Sequence, residues 1–345
     1  MHILVVGHNG YIGPILTTML LDVGHVVVGL DNDYYADCDF LDTMPKVPQT
    51  RKDIREMQIS DVEGYDAVIL LAALSNDPLG NLNPELTYEI NHKASVRLAR
   101  LAKQAGVERF LFASSCSLYG AAGQEMLTEE AAFNPVTPYG VTKVLFEQDV
   151  REMAGAHFSP VFLRNATAYG VSPRLRFGLV LHDLAAWAYT TGLVYLKSDG
   201  TPWRPIVHVE DISRAFIAAL HAPRESIHNQ AFNVGITEEN YQIRELAEIV
   251  QEIVPNCRIE YAPDAGPDAR TYRVDFSKIK NELPEFKPQW DARRGVGELL
   301  GAYQQVGLTH EDFEGPTFKR VERIKELLRN GKLDADLHWI DKLAV

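Results

Sequence analysis

The chain has 345 residues, and its 34 Lys plus Arg against 47 Asp plus Glu give a formal net charge of −13 at pH 7. This acidic balance argues against a protein that binds nucleic acid or an anionic membrane, because its overall field repels polyanions, whereas a small anionic ligand needs only a few local basic residues. With 46% hydrophobic and 23% charged residues, the composition excludes a disordered chain and is typical of a soluble globule with one large domain and a smaller lobe.

Apolar strands alternate with helices in the first half of the chain. Strands are predicted at 3–6, 26–30, 67–72, 109–114 and 161–164, and helices at 11–23 and 94–105. The strands are short, continuous apolar runs, as in sheets that are covered on both faces. This rhythm predicts an α/β fold with a doubly wound parallel sheet.

The second half is richer in Pro and Gly, and we expect the stretch 192–205 to be irregular. Helices are predicted at 211–221 and 243–254, and a charged helix at 321–329 is expected on the surface. We assign residues 1–170 to the sheet domain, 171–320 mainly to a smaller, irregular C-terminal lobe, and 321–345 to a terminal helix and tail. Some later segments are expected to return to the sheet.

Cysteine usage and the N-terminus bear on the cellular compartment. The three cysteines are odd in number, far apart and outside any metal-ligand spacing, so we expect reduced thiols and no metal site. The N-terminus lacks the basic start and long apolar stretch of a signal peptide, and no apolar run approaches the ~18 residues of a membrane span. We therefore expect a cytoplasmic protein.

A glycine trio, Gly7, Gly10 and Gly13, lies between the first strand and the first helix. Such glycines let the backbone approach a pyrophosphate, whose charge the exposed N–H groups and the helix N-terminus stabilise. Glycines also serve turns for steric reasons alone, but the position between strand and helix favours dinucleotide binding. Asp31 ends the second strand, where its carboxylate would accept hydrogen bonds from both ribose hydroxyls and repel a 2′-phosphate. No arginine stands between Asn32 and Leu41 to receive such a phosphate, so NAD is favoured over NADP; a turn cap is the alternative role for Asp31.

Tyr139 and Lys143 are four residues apart, one helical turn, on the same helix face. An ammonium beside a phenol favours the phenolate, which can then take or return a hydroxyl proton. This spacing is common by chance, but here it follows Ser115, at the end of a buried strand, whose hydroxyl can hydrogen-bond the same substrate oxygen. We expect Tyr139, Lys143 and Ser115 to be the catalytic residues.

Together these motifs resemble the extended short-chain dehydrogenase/reductases of the nucleotide-sugar epimerase/dehydratase family, over nearly the whole chain. The resemblance implies a Rossmann-type fold, an NAD cofactor, a nucleotide-diphosphate sugar substrate, and a homodimer that pairs helices at about 92–105 and 139–154 as a four-helix bundle. The cofactor-binding residues that it implies are Gly7, Gly10, Tyr11, Ile12, Gly13, Asp31, Asn32, Asp53, Ile54, Leu71, Ala72, Ala73, Asn91, Ser114, Tyr139 and Lys143.

The same resemblance extends to two segments of the second half, 203–211 and 270–275. In such enzymes the first arginine of each segment, here Arg204 and Arg270, grips the sugar-nucleotide pyrophosphate. The full set of substrate-binding residues implied is Ser75, Ser115, Cys116, Ser117, Tyr139, Asn165, Arg174, His182, Arg204 and Arg270. His182 stands where the family usually has an asparagine, so the nucleotide base stays open.

The two residues after Ser115 bear on the reaction. In the family's 4,6-dehydratases they resemble Asp-Glu, and in its decarboxylases the second is Glu, whereas here they are Cys116 and Ser117. Neither side chain readily performs an elimination. Small residues at these positions resemble the 4-epimerases, which implies C4 epimerisation through a 4-keto intermediate with tightly bound NAD.

Three alternatives stay open. A 4-keto-sugar reductase that consumes NAD(P)H would use the same three residues. An epimerase of the 3,5-type would act by enolisation and use a cysteine, one position beyond Cys116, as its acid or base. A non-catalytic dinucleotide sensor is disfavoured because Tyr139, Lys143 and Ser115 are intact.

Overall fold

The computed structural model describes residues 1–75, 77–123, 125–266 and 270–340. Its strands are, in chain order, β1 His2–Val6, β2 Val26–Asp31, β3 Gln49–Arg51, β4 Ala67–Leu70, β5 Arg109–Ser115, β6 Met126–Leu127, β7 Ser159–Asn165, β8 Thr167–Tyr169, β9 Leu193–Ser198, β10 Trp203–His208, β11 Gln230–Val234, β12 Asn240–Gln242, β13 Arg258–Gly266 and β14 Arg273–Val274. Its α-helices are α1 Gly13–Asp22, α2 Asp77–Gly80, α3 Pro84–Tyr88, α4 Ser95–Gln104, α5 Pro138–Arg151, α6 Val180–Thr191, α7 Val209–His221, α8 Arg224–Ile227, α9 Ile243–Ile253, α10 Ser277–Glu282, α11 Ala292–Val306, α12 His310–Glu314 and α13 Arg320–Arg329.

Seven strands form the central sheet in the order β11-β7-β5-β4-β1-β2-β3, and all six pairings are parallel. β4 and β7 are buried along their whole length, as expected where helices cover both faces. The predicted α/β fold, a Rossmann-type doubly wound sheet, is confirmed. The strand order reverses between β1 and β4, and open parallel sheets bind ligands outside the carboxyl ends of the strands at such a reversal.

Each face of this sheet is covered by helices. α1 and α7 pack on one face, where Leu16 and Phe216 belong to one apolar core. α4 and α5 pack on the other, where Leu98 and Phe146 are fully buried in a second core. The two helices of the predicted dimer interface are therefore neighbours on one face of the subunit, and the pairing of two copies through them stays a prediction.

A third apolar core lies in the C-terminal half, where α6, α9 and α11 pack around β9. Small sheets link this lobe to the rest, in the orders β12-β10-β8, β13-β9 and β14-β6. As expected, later segments return to the main sheet: β11 pairs with β7, and α7 packs beside α1. Residues 341–345 of the predicted tail lie outside the described residues.

One prediction about the second half is wrong. The stretch 192–205 contains β9 and the start of β10, because Val194 and Leu196 alternate with outward-facing residues and are buried in the third core. The terminal helix α13 lies on the surface, as expected, and buries one face, since Ile324 and Leu327 pack into the second core. Its composition is dominated by charge, but these two residues form an apolar stripe three residues apart. None of the helices within the described residues is both long and apolar enough to cross a bilayer.

Candidate functional site

A cavity of about 810 Å³ opens at the carboxyl edge of the central sheet, between the sheet and the C-terminal lobe. This volume is near the upper end of small-molecule sites. The predicted site residues on its wall are Gly7, Gly10, Tyr11, Ile12, Asp31, Asn32, Ile54, Leu71, Ala72, Ala73, Ser75, Ser114, Ser115, Ser117, Tyr139, Lys143, Asn165, Arg204 and Arg270. Six others lie outside it: Gly13, Asp53, Asn91, Cys116, Arg174 and His182.

The glycine turn between β1 and α1 has no room for a side chain at Gly7 or Gly13. Gly7 has φ +91°, and a Cβ there would lie 2.5 Å from the Ala72 backbone nitrogen. A Cβ on Gly13 would lie 2.1 Å from the His8 carbonyl oxygen, so Gly13 packs the helix against the turn from behind the cavity wall. The turn thus brings bare backbone and the N-terminus of α1 to the cavity, which fits an anionic diphosphate.

Asp31 ends β2 with its carboxylate at the cavity wall. Its two oxygens accept hydrogen bonds from the backbone N–H groups of Asn9 and Asp33, each at 3.0 Å. Burial raises the pKa of this carboxyl, and these two N–H groups oppose the rise. The bonds fix the carboxylate in place, and each oxygen keeps a lone pair for a ribose hydroxyl.

Asp53 and Asn91 lie outside the cavity wall and act on neighbouring residues, and their contact with the cofactor stays a prediction. Asp53 accepts from the Arg55 backbone N–H at 2.8 Å and pairs with its guanidinium, while Ile54 faces the cavity. Asn91 accepts from the Leu74 N–H at 2.8 Å and donates to its carbonyl at 3.1 Å. The amide therefore fixes the loop after β4, and that loop lines the cavity.

Tyr139 and Lys143 project from the first turns of α5, a helix that begins at the Thr137 cap. The Lys143 ammonium is buried, donates to the Ala113 carbonyl at 2.7 Å, and lies 5.4 Å from the centroid of the Tyr139 ring. Burial lowers the pKa of Lys143 to about 7, and the carboxylate of Glu147 opposes this. A cation held so close to a phenol can stabilise the phenolate.

Ser115 lies at the end of β5, the strand whose Ala113 carbonyl accepts from Lys143 of α5. Its hydroxyl donates to the Ser117 Oγ at 3.0 Å and accepts from the Ser117 N–H at 3.1 Å. The neighbouring Ser114 donates to the buried carboxylate of Glu147 at 2.6 Å. The structure therefore brings the hydroxyl of Ser115, the phenol of Tyr139 and the ammonium of Lys143 to one wall of one cavity.

Arg204, Arg270 and Tyr272 of the C-terminal half also line the cavity. Arg204 lies on β10, is buried, and donates to the backbone carbonyls of Trp203 at 2.9 Å and of Arg270. Its guanidinium lies 5.7 Å from the centroid of the Tyr272 ring. The C-terminal half therefore brings guanidinium groups to the same cavity as the glycine turn.

The sequence of the chain matches a known protein family. Residues 3–235 match the model of the NAD dependent epimerase/dehydratase family. The chain belongs to this family. The predicted family and the predicted NAD cofactor are thereby confirmed, and the glycine turn and Asp31 fit that cofactor.

Relatives in the family differ in the reaction that their names give. The chain is 28% identical to the UDP-glucose 4-epimerase of Bacillus subtilis over 328 residues, 87% of this chain and 94% of that protein. It is 25% identical to UDP-glucuronic acid decarboxylase 1 of Arabidopsis thaliana, over 91% of this chain and 72% of that protein. The structure of MoeE5 in complex with UDP-glucuronic acid and NAD is similar with a TM-score of 0.75 and 26% identity, covering 88% of this chain and 99% of that one. The family is therefore established and the individual reaction is not.

Cys116 does not line the cavity, which corrects its predicted substrate contact. It begins the short 3-10 helix after β5, is fully buried, and donates from its thiol to the Arg164 carbonyl at 3.1 Å. Burial raises the pKa of the thiol well above its usual range. The backbone turns at Ser115, so the next side chain points into the core beneath the cavity.

His182 and Arg174 are also not on the cavity wall, so their predicted substrate contacts are corrected. His182 accepts from the Gly170 N–H at 3.0 Å through Nε2 and lies 2.8 Å from the Arg176 carbonyl through Nδ1, which therefore carries the proton. Burial lowers its pKa to about 4, so the ring is neutral and structural. Arg174 pairs with the carboxylate of Asp39 at 2.7 Å.

Sequence reasoning missed several residues on the wall: Asp183, Trp187, Tyr195, Lys197, Arg176 and Arg320. Asp183 follows His182 on α6 and accepts from the Gly178 N–H at 2.7 Å, and burial raises its pKa to about 6. Trp187 lies one helical turn beyond Asp183 on α6, so the i, i+4 spacing places both side chains on the same face of the helix. Arg320, by contrast, lies far along the chain, and no local pattern could have placed it in the cavity.

Proposed function

We propose that the protein is an NAD-dependent epimerase of nucleotide-diphosphate sugars that inverts the C4 carbon through a 4-keto intermediate. The observation that carries this proposal is the grouping of Ser115, Tyr139 and Lys143 on one cavity wall, with Cys116 buried beneath it. The three residues support proton and hydride transfer at a hydroxyl-bearing carbon. The positions after Ser115 hold no carboxyl group for an elimination.

Tyr139, Ser115 and Lys143 have different roles in the proposed reaction. Tyr139, as phenolate, takes the proton of the sugar hydroxyl and later returns it, and Ser115 hydrogen-bonds the same oxygen. Lys143 stabilises the phenolate through its buried charge, because a cation in a site of low dielectric acts strongly on a neighbouring anion. Bound NAD supplies the hydride acceptor and, after the keto-sugar turns over, the donor.

Arg204 and Arg270 support a substrate with a diphosphate. Both lie on the cavity wall, and one guanidinium group can donate two parallel hydrogen bonds to phosphate oxygens. The relative from Bacillus subtilis is named a UDP-glucose 4-epimerase, and this name supports a nucleotide-diphosphate sugar as substrate. The acidic chain can bind this anion because the cleft carries its own local positive charge.

The buried thiol of Cys116 disfavours epimerisation by enolisation. A group that removes a carbon-bound proton must reach the substrate, and this thiol instead donates to the Arg164 carbonyl in the core. Of the alternatives, a reductase that consumes NADH uses the same three residues, so the experiment must separate it from the epimerase.

The test incubates the purified protein with a panel of nucleotide sugars and their 4-keto forms in D₂O and follows product mass, stereochemistry and NADH together. The proposal expects a C4 epimer without carbon-bound deuterium and without net change in NADH. Deuterium gained at carbon would indicate enolisation, and stoichiometric NADH consumption would indicate a reductase, so either result contradicts the proposal. Tyr139→Phe serves as the inactive control and should keep its affinity for the nucleotide.

A further inference from the structure

Two arginines of the C-terminal half line the cavity without a carboxylate partner among the described residues. Arg176 precedes α6 and is 7% exposed, and Arg320 begins α13 and is 4% exposed. Neither forms an ion pair within the part of the chain that the structure describes. Two neighbouring arginines do: Arg174 pairs with Asp39 at 2.7 Å, and Arg323 pairs with Asp37 at 3.1 Å.

The hydrogen bonds of both guanidinium groups are incomplete. For Arg176, Nε and Nη1 have no partner among the described residues, and Nη2 lies 3.4 Å from the Ser75 carbonyl oxygen. For Arg320, Nη1 has no partner in the same residues, Nη2 donates to the Arg174 carbonyl at 3.2 Å, and the group stacks 3.6 Å from the centroid of the Tyr35 ring. Both arginines therefore have N–H donors to spare.

A buried cation with spare donors and no carboxylate in ion-pair contact among the described residues is a costly arrangement. Burial lowers the pKa of Arg176 and lowers that of Arg320 to about 10, which reports the same cost. The two groups are also close enough to repel each other. A bound anion with two charges would pair with both buried cations, accept their spare N–H donors and offset their mutual repulsion. This part of the cavity wall therefore favours such an anion.

The surroundings of Arg176 indicate which anion this is. The guanidinium interacts electrostatically with Tyr139, with Tyr11 of the glycine turn, with Tyr35 beyond β2 and with the carboxylate of Asp183 on α6. It also contacts the carbonyl of Ser75 beyond β4. Of these residues, Tyr11, Tyr35 and Ser75 follow the three strands at the reversal of strand order, where dinucleotides bind. The candidate substrate arginines, Arg204 and Arg270, lie on other elements.

We propose that Arg176 and Arg320 form a clamp on the diphosphate of NAD, which they bind together with the glycine turn. The glycine turn offers backbone N–H groups, and the arginines supply the charge. Arg320 is delivered by α13, whose Ile324 and Leu327 anchor it in the second core. Retention of the cofactor thus depends on the last described helix, more than three hundred residues after the glycine turn. The proposal rests on NAD as the cofactor and not on the C4 reaction.

The test measures ligand binding by calorimetry to the full chain after removal of the cofactor, with Arg176→Gln and Arg320→Gln. Each variant should bind ADP-ribose and NADH about 10- to 100-fold more weakly, because charge-assisted hydrogen bonds to phosphate are lost. Affinity for adenosine, which has no phosphate, and for UDP should stay the same. Arg323→Gln, one turn along the same helix and paired with Asp37 and Glu326, is the matched control and should bind ADP-ribose like the wild type.

Thermal unfolding of the ligand-free variants separates a clamp from a structural role. Loss of an uncompensated buried charge should leave the melting temperature unchanged or raise it, whereas ADP-ribose should stabilise each variant less than the wild type. A lower melting temperature with unchanged ADP-ribose affinity would overturn the proposal and make the arginines structural. Weaker binding of UDP with unchanged binding of ADP-ribose would overturn it too, by assigning them to the substrate. Arg320→Lys keeps the charge but not the planar fork and should bind ADP-ribose with intermediate affinity.

Discussion

The buried ammonium of Lys143 should impose a pH dependence on the stability of the ligand-free protein. Its pKa is lowered from 10.5 to about 7 by burial, so between these values the unfolded chain holds a proton that the folded chain has lost. Stability therefore rises with pH across this window, by up to about 1.4 kcal/mol per pH unit for one proton. Between about pH 7.5 and pH 9 the wild type should gain about 1.5–2 kcal/mol from this residue.

Lys143→Met should remove this gain, and urea unfolding of the ligand-free protein at both pH values measures it. The difference between wild type and variant isolates Lys143, because the other titrating groups are common to both. Lys103→Met is the matched control: Lys103 also donates to a backbone carbonyl, that of Met153 at 2.8 Å, but is exposed. If Lys143→Met and the wild type gain equally between the two pH values, the ammonium is not held in the apolar site that we describe.

Other variants test the site directly. Tyr139→Phe should lower kcat by about 10²- to 10⁴-fold, the usual contribution of a general acid–base group, while NADH titration shows unchanged affinity; a variant with normal turnover would remove Tyr139 from the chemistry. Gly7→Ala should cost about 1–3 kcal/mol in unfolding free energy and weaken NADH binding, since its Cβ would meet the Ala72 backbone at 2.5 Å. Gly64→Ala shares the positive φ but has no atom within 4 Å of the added Cβ, so equal losses in both variants would contradict the steric argument. Cys116→Ala should leave kcat and its pH profile unchanged, and a shifted profile would bring the thiol back into the mechanism.

Short sequence patterns were enough to predict the fold and the residues on the cofactor side of the cavity. The glycine turn, Asp31 and the spacing of Tyr139 and Lys143 each depend on a few residues near one another in the chain. Strand ends and helix periodicity then place them at one edge of a parallel sheet without further information. This is why those residues lie on the same cavity wall.

The substrate side depends on which way single side chains point after a turn, and sequence does not report this. In the segment after β8, the sequence does not distinguish Arg174 from Arg176. In the structure Arg174 pairs with Asp39, whereas Arg176 faces the cavity. Cys116 is adjacent to Ser115 but is turned into the core by the short helix that follows β5. Strand β9 was missed because its apolar residues alternate over only six positions.

Long-range contacts were the least predictable part. Arg320 reaches the cavity because α13 packs on the second core, and the segment beyond it continues along the N-terminal half. There Trp339 donates to the Asn32 carbonyl at 2.8 Å, and the Tyr34 hydroxyl donates to that of Leu337 at 2.5 Å. A helix dominated by charge gives little sign of the surface that it covers.

The central claim is that hydride leaves and returns to the same sugar carbon, and a C4-deuterated nucleotide sugar tests it most directly. The wild-type protein, with its cofactor bound, is incubated with this substrate in ordinary water in the presence of excess free NAD. The account predicts an inverted C4 centre that still carries the deuterium, with none in the free cofactor. An inverted product that has lost its deuterium to water or to the free nicotinamide would contradict it.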